Sequence, residues 1–249
     1  MSKNTNKLKL EIVSHCWNYS SMLMYQLSSI VLYPPEDIEL TMTVFYNEED
    51  ERTSQVLDYI RSLNIENVIW NWRRLDQPHL FRRAIGRNMA ALETKADWVY
   101  FTDCDFIWRD GCLDSLAQLQ DLKDVPLVFP EYHDTTIHLD SNDDMLKKAD
   151  DISTPIDINP DDFSPVQFVR ATGGIQIARG DVVRRIGYCK DEARFMKPSI
   201  RCVRTREDGV FRKLIGSDGV PIDMPNIYHI QHKEKGKSLI KWLINKMKS

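Results

Sequence analysis

Nowhere in the 249 residues do 18 apolar side chains follow one another, so the sequence holds no membrane-spanning helix of ordinary length. The first thirteen residues lack the apolar run of a signal peptide, and a cytoplasmic setting is expected. The five cysteines, Cys16, Cys104, Cys112, Cys189 and Cys202, are odd in number and never spaced CxxC. That pattern excludes a zinc knuckle and a secreted disulfide framework, and it fits a reducing compartment. Excess positive charge is missing as well: 33 Lys and Arg face 37 Asp and Glu, a net charge of −4, so no basic field recruits nucleic acid. No internal repeat is visible. What remains is a chain 42% hydrophobic and 28% charged, with the composition and length of an ordinary folded protein that needs no staples.

Leu8, Leu10 and Ile12 alternate with Lys9 and Glu11, which predicts a strand ending near His15. Leu23, Leu27 and Ile30 predict a helix, stopped by Pro34 and Pro35. A second strand is expected over 39–46, a helix through Val56, Ile60 and Leu63, a third strand over 67–72, a helix through Ile85, Met89 and Leu92, and a fourth strand over 97–102. Alternating strands and helices imply an α/β domain with a mostly parallel sheet flanked by helices, whose ligands bind beyond the carboxyl ends of the strands. From 131 to 162 ten acidic residues face only Lys147 and Lys148. This stretch is expected to be a long acidic loop or lid with at most a short helix, mobile until substrate arrives and shaping an acceptor site. Later elements are a strand over 166–169, helices over 181–186 and 207–215, and a strand over 226–231.

The sharpest chemical signal is Asp103-Cys104-Asp105 at the end of the most hydrophobic strand. Two carboxylates two residues apart, where a strand breaks into a turn, converge on one hard divalent cation, which in turn neutralises a diphosphate. An exposed acidic turn is the plain alternative. A hydrophobic strand followed by DxD also opens phosphohydrolases of the haloacid dehalogenase type. Those place it near the amino terminus, whereas three strands precede it here.

The stretch from Arg82 through Arg87-Asn88 to Asp105, together with Val44-Phe45-Tyr46-Asn47, Gly173-Gly174 and Arg206-Glu207-Asp208, resembles the GT-A glycosyltransferases of the family 2 type. The likeness spans most of residues 8–232. It implies a GT-A (Rossmann-like) fold and an inverting transfer of a sugar from a nucleotide-sugar donor to a hydroxyl of a glycan or lipid-linked acceptor. On that basis Asp105 binds Mn2+ or Mg2+, and Asp103 contacts the ribose or the water shell of the metal. Asp208 is the base with Glu207 beside it, and a late histidine, His229 or His232, completes the metal shell. Strand alternation puts those two histidines on opposite faces, so at most one is expected to be a ligand. Asp208 has a second reading, a carboxylate in the first turn of a helix. A protein that keeps the fold and binds the donor without turnover is the non-enzymatic alternative.

For the donor, the candidates at the strand ends are Ser14, His15 and Trp17, then Tyr46, Asn47, Glu48 and Glu49. Arg83 and Arg87, four apart on one helical face, either approach the diphosphate or form a solvated basic face. Gly173 and Gly174 either let a sugar approach the backbone or make a tight turn. Trp70 and Trp98 are read as core. The tail, 233–249, carries six Lys against one Glu with apolar residues on one broad arc, a pattern suited either to an anionic membrane surface or to docking on the domain.

Overall fold

The computed structural model describes residues 7–122, 124–140, 142–201 and 205–232; Cys202 and the basic tail lie outside them. The chain runs β1 (Leu8–His15), α1 (Ser20–Leu32), β2 (Ile38–Tyr46), α2 (Glu51–Ser62), β3 (Val68–Arg74), α3 (Gln77–Leu80), α4 (Arg83–Glu93), β4 (Trp98–Phe101) and β5 (Phe106–Trp108). It continues with β6 (Leu127–Pro130), β7 (Tyr132–Thr135), α5 (Asp144–Lys148), β8 (Ser164–Gln167), β9 (Gln176–Arg179), α6 (Gly180–Ile186), α7 (Ala193–Met196), α8 (Glu207–Ile215), β10 (Val220–Ile222) and β11 (Ile227–His229).

Seven strands form one sheet in the order β10-β6-β9-β4-β1-β2-β3. Every neighbouring pair is parallel except those of β9, which runs antiparallel to β4 and β6. Residues 176–179 were not read as a strand, because four residues with one arginine carry no period. The register of β1 with β2 ends at His15↔Phe45, and that with β4 at Val13↔Phe101. The loops carrying His15, Asn47 and Asp103 therefore leave the sheet side by side. A smaller sheet has the order β5-β11-β7-β8, and its strand β5 packs against α1. On α1, Gln26, Ser28 and Ser29 are buried as well as Leu23, Leu27 and Ile30. Ser29 Oγ accepts from the Trp108 backbone N–H at 3.2 Å.

The 131–162 segment departs from the expected loop. It opens with β7, paired to β8 and β11, and carries the five-residue α5. Ala149, Ile156 and Ile158 are buried, Tyr25 donates to the Met145 carbonyl at 3.0 Å, and Arg109 and Tyr33 both reach Asp157. Through α5 the segment docks on α1, although Ile137 stays exposed; no local period reveals this. Trp98 is buried core, whereas Trp70 is half-buried on edge strand β3, stacked on Trp72 at 5.4 Å. Among the described residues Cys16, Cys104, Cys112 and Cys189 are buried free thiols.

Alternation along β1 predicts Glu11 toward solvent, yet it is 7% exposed in this central strand and accepts from Thr43 Oγ1 at 2.6 Å. Burial outweighs that hydrogen bond and raises its pKa. A carboxyl raised on folding favours the protonated form, so its contribution to stability is greatest below the unfolded pKa and declines as pH rises through the folded one. Glu11→Gln should therefore raise the denaturant midpoint at pH 7, with the gain fading below about pH 4; a variant less stable at pH 7 would contradict the sign.

Candidate active site

The first carboxylate, Asp103, is held from three directions. Arg83 Nη1 donates to its Oδ1 at 2.6 Å and Arg87 Nη2 to the same oxygen at 3.1 Å. Gln26 Nε2 of α1 donates to the Asp103 carbonyl at 2.8 Å and to the Phe106 carbonyl at 3.2 Å, which fixes the turn between them. Burial alone would raise the Asp103 carboxyl, but the two guanidiniums overcome it and hold its pKa below the usual value. It is a carboxylate at neutral pH. Arg87 is completely buried, which corrects the solvated-face alternative: helical spacing does put Arg83 and Arg87 on one face, and that face turns inward.

The second carboxylate, Asp105, meets both late histidines. His229 Nε2 lies 3.5 Å and His232 Nε2 3.9 Å from its Oδ2. The opposite-face expectation fails because β11 ends at His229, so strand alternation does not extend to His232. Leu139 then pairs with His232, and the His232 ring rests against Tyr19 at 4.9 Å. Asp105 Oδ1 is buried with no hydrogen-bond partner. Ligand atoms of one divalent ion stand about 3–4 Å apart, so an orphaned carboxylate oxygen beside two imidazoles suits Mn2+ better than Mg2+. Among the described residues no group of three or more His, Cys, Asp or Glu side chains is placed to hold a metal ion, so Asp105, His229 and His232 stand near one another without forming a complete ligand set.

On the far side stands α8. Glu207 is 2% exposed; it accepts from Thr205, and its Oε1 lies 3.7 Å from Arg83 Nη2. Asp208 is partly open, with Arg212 Nη1 at 3.6 Å from its Oδ2. Both occupy the first turn of α8, so the helix-start reading of Asp208 applies whatever else it does. Glu207 is enclosed and Asp208 is accessible, which separates the two roles. A Cβ placed on Gly173 would stand 3.7 Å from Asp208 Cβ and 3.8 Å from Arg87 Nη1, whereas one on Gly174 would come within 2.5 Å of Phe106 Cε2. Gly174 thus makes room for Phe106 rather than for a sugar. Phe106 in turn stacks flat on His229, centroids 4.5 Å apart.

The donor-side candidates divide. His15 stacks on Phe45 at 5.0 Å, over Gly86, where a Cβ would come within 2.2 Å of its Nε2. Neither ring nitrogen has a protein partner, nor does the buried Ser14 hydroxyl. Burial, then the charges of Arg87 and Arg83, push the His15 pKa well below its usual value, so the ring is neutral. Trp17 meets Phe81 edge-on. Asn47 spends its amide on the loop: Nδ2 donates to the Leu75 carbonyl at 2.9 Å and Oδ1 accepts from the Glu49 N–H at 2.8 Å. One N–H and one lone pair of that amide stay outside these two bonds. Tyr46 accepts from Arg74, and Arg74 pairs with Glu48. Two structural contributors were missed. Asp50 caps α2 and accepts from the Asn18 N–H at 2.6 Å, tying the β1 and β2 loops together. Gln26 was missed too, although a glutamine amid apolar helix positions is a signal of buried hydrogen bonding.

No family model matches the sequence, and no curated protein matches it at a significant level. Solved structures do. Residues 1–349 of S. aureus TarS superpose with a TM-score of 0.52 at 13% identity, over 92% of this chain and 58% of that one; the same fragment in complex with UDP gives the same values. The mannosyltransferase PcManGT from Pyrobaculum calidifontis, in complex with GDP-Man and Mn2+, gives 0.53 at 12% identity, over 97% of this chain and 61% of that one. The fold is a GT-A-like glycosyltransferase fold. The chain spans about three fifths of the length of these neighbours. His15, Asn47 and Asp103 lie at or just beyond the carboxyl ends of the parallel strands β1, β2 and β4, the usual place for a ligand in such sheets.

Because Gly174, Phe106 and His229 pack in sequence, Gly174→Ala should displace Phe106 and cost about 1–3 kcal/mol of stability. Denaturant unfolding measures this; an unchanged midpoint would mean Phe106 relaxes freely and does not fix His229.

Proposed function

We propose that this protein transfers a sugar from a nucleoside diphosphate-sugar to an acceptor hydroxyl with inversion, as family 2 enzymes of the GT-A fold do. The observation that carries the reading is the pairing of an arginine-held Asp103 with an Asp105 flanked by two imidazoles, while Arg83 ties Asp103 to Glu207, the neighbour of Asp208. The neighbours in complex with UDP and with GDP-Man and Mn2+ support the same class of donor and a divalent cation.

Asp105, His229 and His232 are the residues that would hold the cation, which when bound supplies Lewis-acid stabilisation of the departing diphosphate. Asp103, fixed as a carboxylate, contacts the ribose or the water shell of the cation. Arg83, partly exposed, offers the phosphates a guanidinium. His15, neutral and with both nitrogens free of protein partners, supplies one donor and one acceptor for the nucleotide. Asp208 takes the proton of the acceptor hydroxyl as its oxygen bonds to the anomeric carbon; the bond from that carbon to the diphosphate oxygen breaks, and its electron pair leaves with the diphosphate. One displacement with one base inverts the centre. Glu207, enclosed and paired, holds Arg83 instead of moving a proton.

Asp208→Asn should lower kcat by at least about 10²-fold while leaving donor affinity within about twofold, since only proton acceptance is lost. Asp105→Ala, measured beside it, should abolish Mn2+-dependent donor binding. A fall of less than tenfold in the Asp208 variant would move the base elsewhere, and donor binding without release of nucleotide in the wild type would favour a sugar-binding protein. For the acceptor, the basic amphipathic pattern of 233–249 supports a membrane-surface substrate. Cosedimentation with anionic vesicles should then fall when the chain is cut before Lys237 and weaken with salt; indifference to both would mean that the tail serves the domain alone.

A further inference from the structure

Resting on that reading, we propose that Tyr188 is a positioning residue that couples Asp103 to the turn of α8 carrying Asp208, through Arg87 on one side and Gln176 on the other. The chain of contacts is continuous. Arg87 Nη1 donates to the Tyr188 hydroxyl at 3.0 Å, Tyr188 donates to Gln176 Oε1 at 2.8 Å, and Gln176 Nε2 donates to the Asp208 carbonyl at 3.3 Å. Arg87, Tyr188 and Gln176 are completely buried.

The direction of every bond is forced. A guanidinium only donates, so the Tyr188 oxygen must accept from Arg87, and its single proton is left for Gln176. Gln176 must then present its carbonyl to Tyr188 and its amide hydrogens to α8. No member can reverse without orphaning a buried group, and buried orphans are costly. Burial raises the Tyr188 pKa, so the hydroxyl keeps the proton that the relay needs.

The ring is held as firmly as the hydroxyl. It stacks on Phe211 of α8 at 4.4 Å and lies 4.8 Å from Phe101 at the end of β4. Its backbone N–H donates to Asn88 Oδ1 of α4 at 2.9 Å. Tyr188 therefore touches the three elements that carry Asp103, its arginine partner and Asp208. Arg83 makes a second, more exposed link over the top, from Asp103 to Glu207. The distance between the diphosphate end and the base end of the site is what this pair of links sets.

The test is steady-state kinetics of the full chain with Tyr188→Phe, Gln176→Met and the double variant. Tyr188→Phe should lower kcat about tenfold while donor KM shifts by less than about twofold, because Arg83 and Arg87 Nη2 still hold Asp103. Gln176→Met should act likewise, and the double variant should be no worse than the poorer single one, since both cut the same chain. A merely structural tyrosine would lower the melting temperature and leave kcat alone. Wild-type kcat in a folded Tyr188→Phe variant, or multiplicative effects in the double, would overturn the inference while leaving the transferase reading intact; a wild type that transfers no sugar would overturn both. Should Tyr188→Phe fail to fold, Gln176→Met alone decides by the same comparison of kcat with KM.

Discussion

A buried guanidinium cannot be tolerated without a carboxylate, and the contact between Arg87 and Asp103 answers that requirement at the one place where chemistry is expected. Taking an arginine wholly out of water costs several kcal/mol unless its hydrogens find acceptors. The two terminal nitrogens of Arg87 find the Thr102 carbonyl, the Tyr188 hydroxyl and Asp103 Oδ1, while its Nε is left without a partner. The same contact keeps Asp103 ionised against its own desolvation. Charge on the helix and charge on the loop are each the reason the other can be there.

The surrounding fold serves that contact. The parallel registers of β1 with β2 and β4 bring three loops to one edge, and α4 delivers Arg83 and Arg87 to it. Helix α1, packed against β5, uses Gln26 to hold the turn that separates Asp103 from Phe106. The smaller sheet brings His229 against Asp105, with Phe106 as its backing and Gly174 making room for Phe106. Helices and strands thus carry Arg83, Arg87, Gln26 and His229, and hydrogen bonds fix the turn of Asp103, which suits a site whose stabilising charges must be in place before reaction.

The main elements up to β4 and the helix of Asp208 could be read from the sequence because their signals are local. Periodic apolar residues, β-branched runs and stopping prolines depend on neighbours a few positions away. Asp103 and Asp105 were visible for the same reason, standing where the most hydrophobic strand breaks. Long-range facts were hidden. That Arg87 points inward depends on Tyr188, about a hundred residues later, and that Gln26 is buried depends on a second sheet whose strands are three or four residues long. His229 and His232 were separated by a rule for strands that stops applying once β11 ends. That the Asn47 amide bridges the Leu75 carbonyl and the Glu49 N–H also depends on a loop almost thirty residues away.

The account stands on a nucleoside diphosphate site that works through a cation at Asp105. Calorimetric titration of the wild-type chain with UDP and with GDP, each in Mn2+ and again in excess chelator, tests this most directly. The account predicts saturable one-to-one binding of at least one nucleotide in Mn2+ and its loss in chelator. Equal binding in both conditions, or none to either nucleotide, would contradict it.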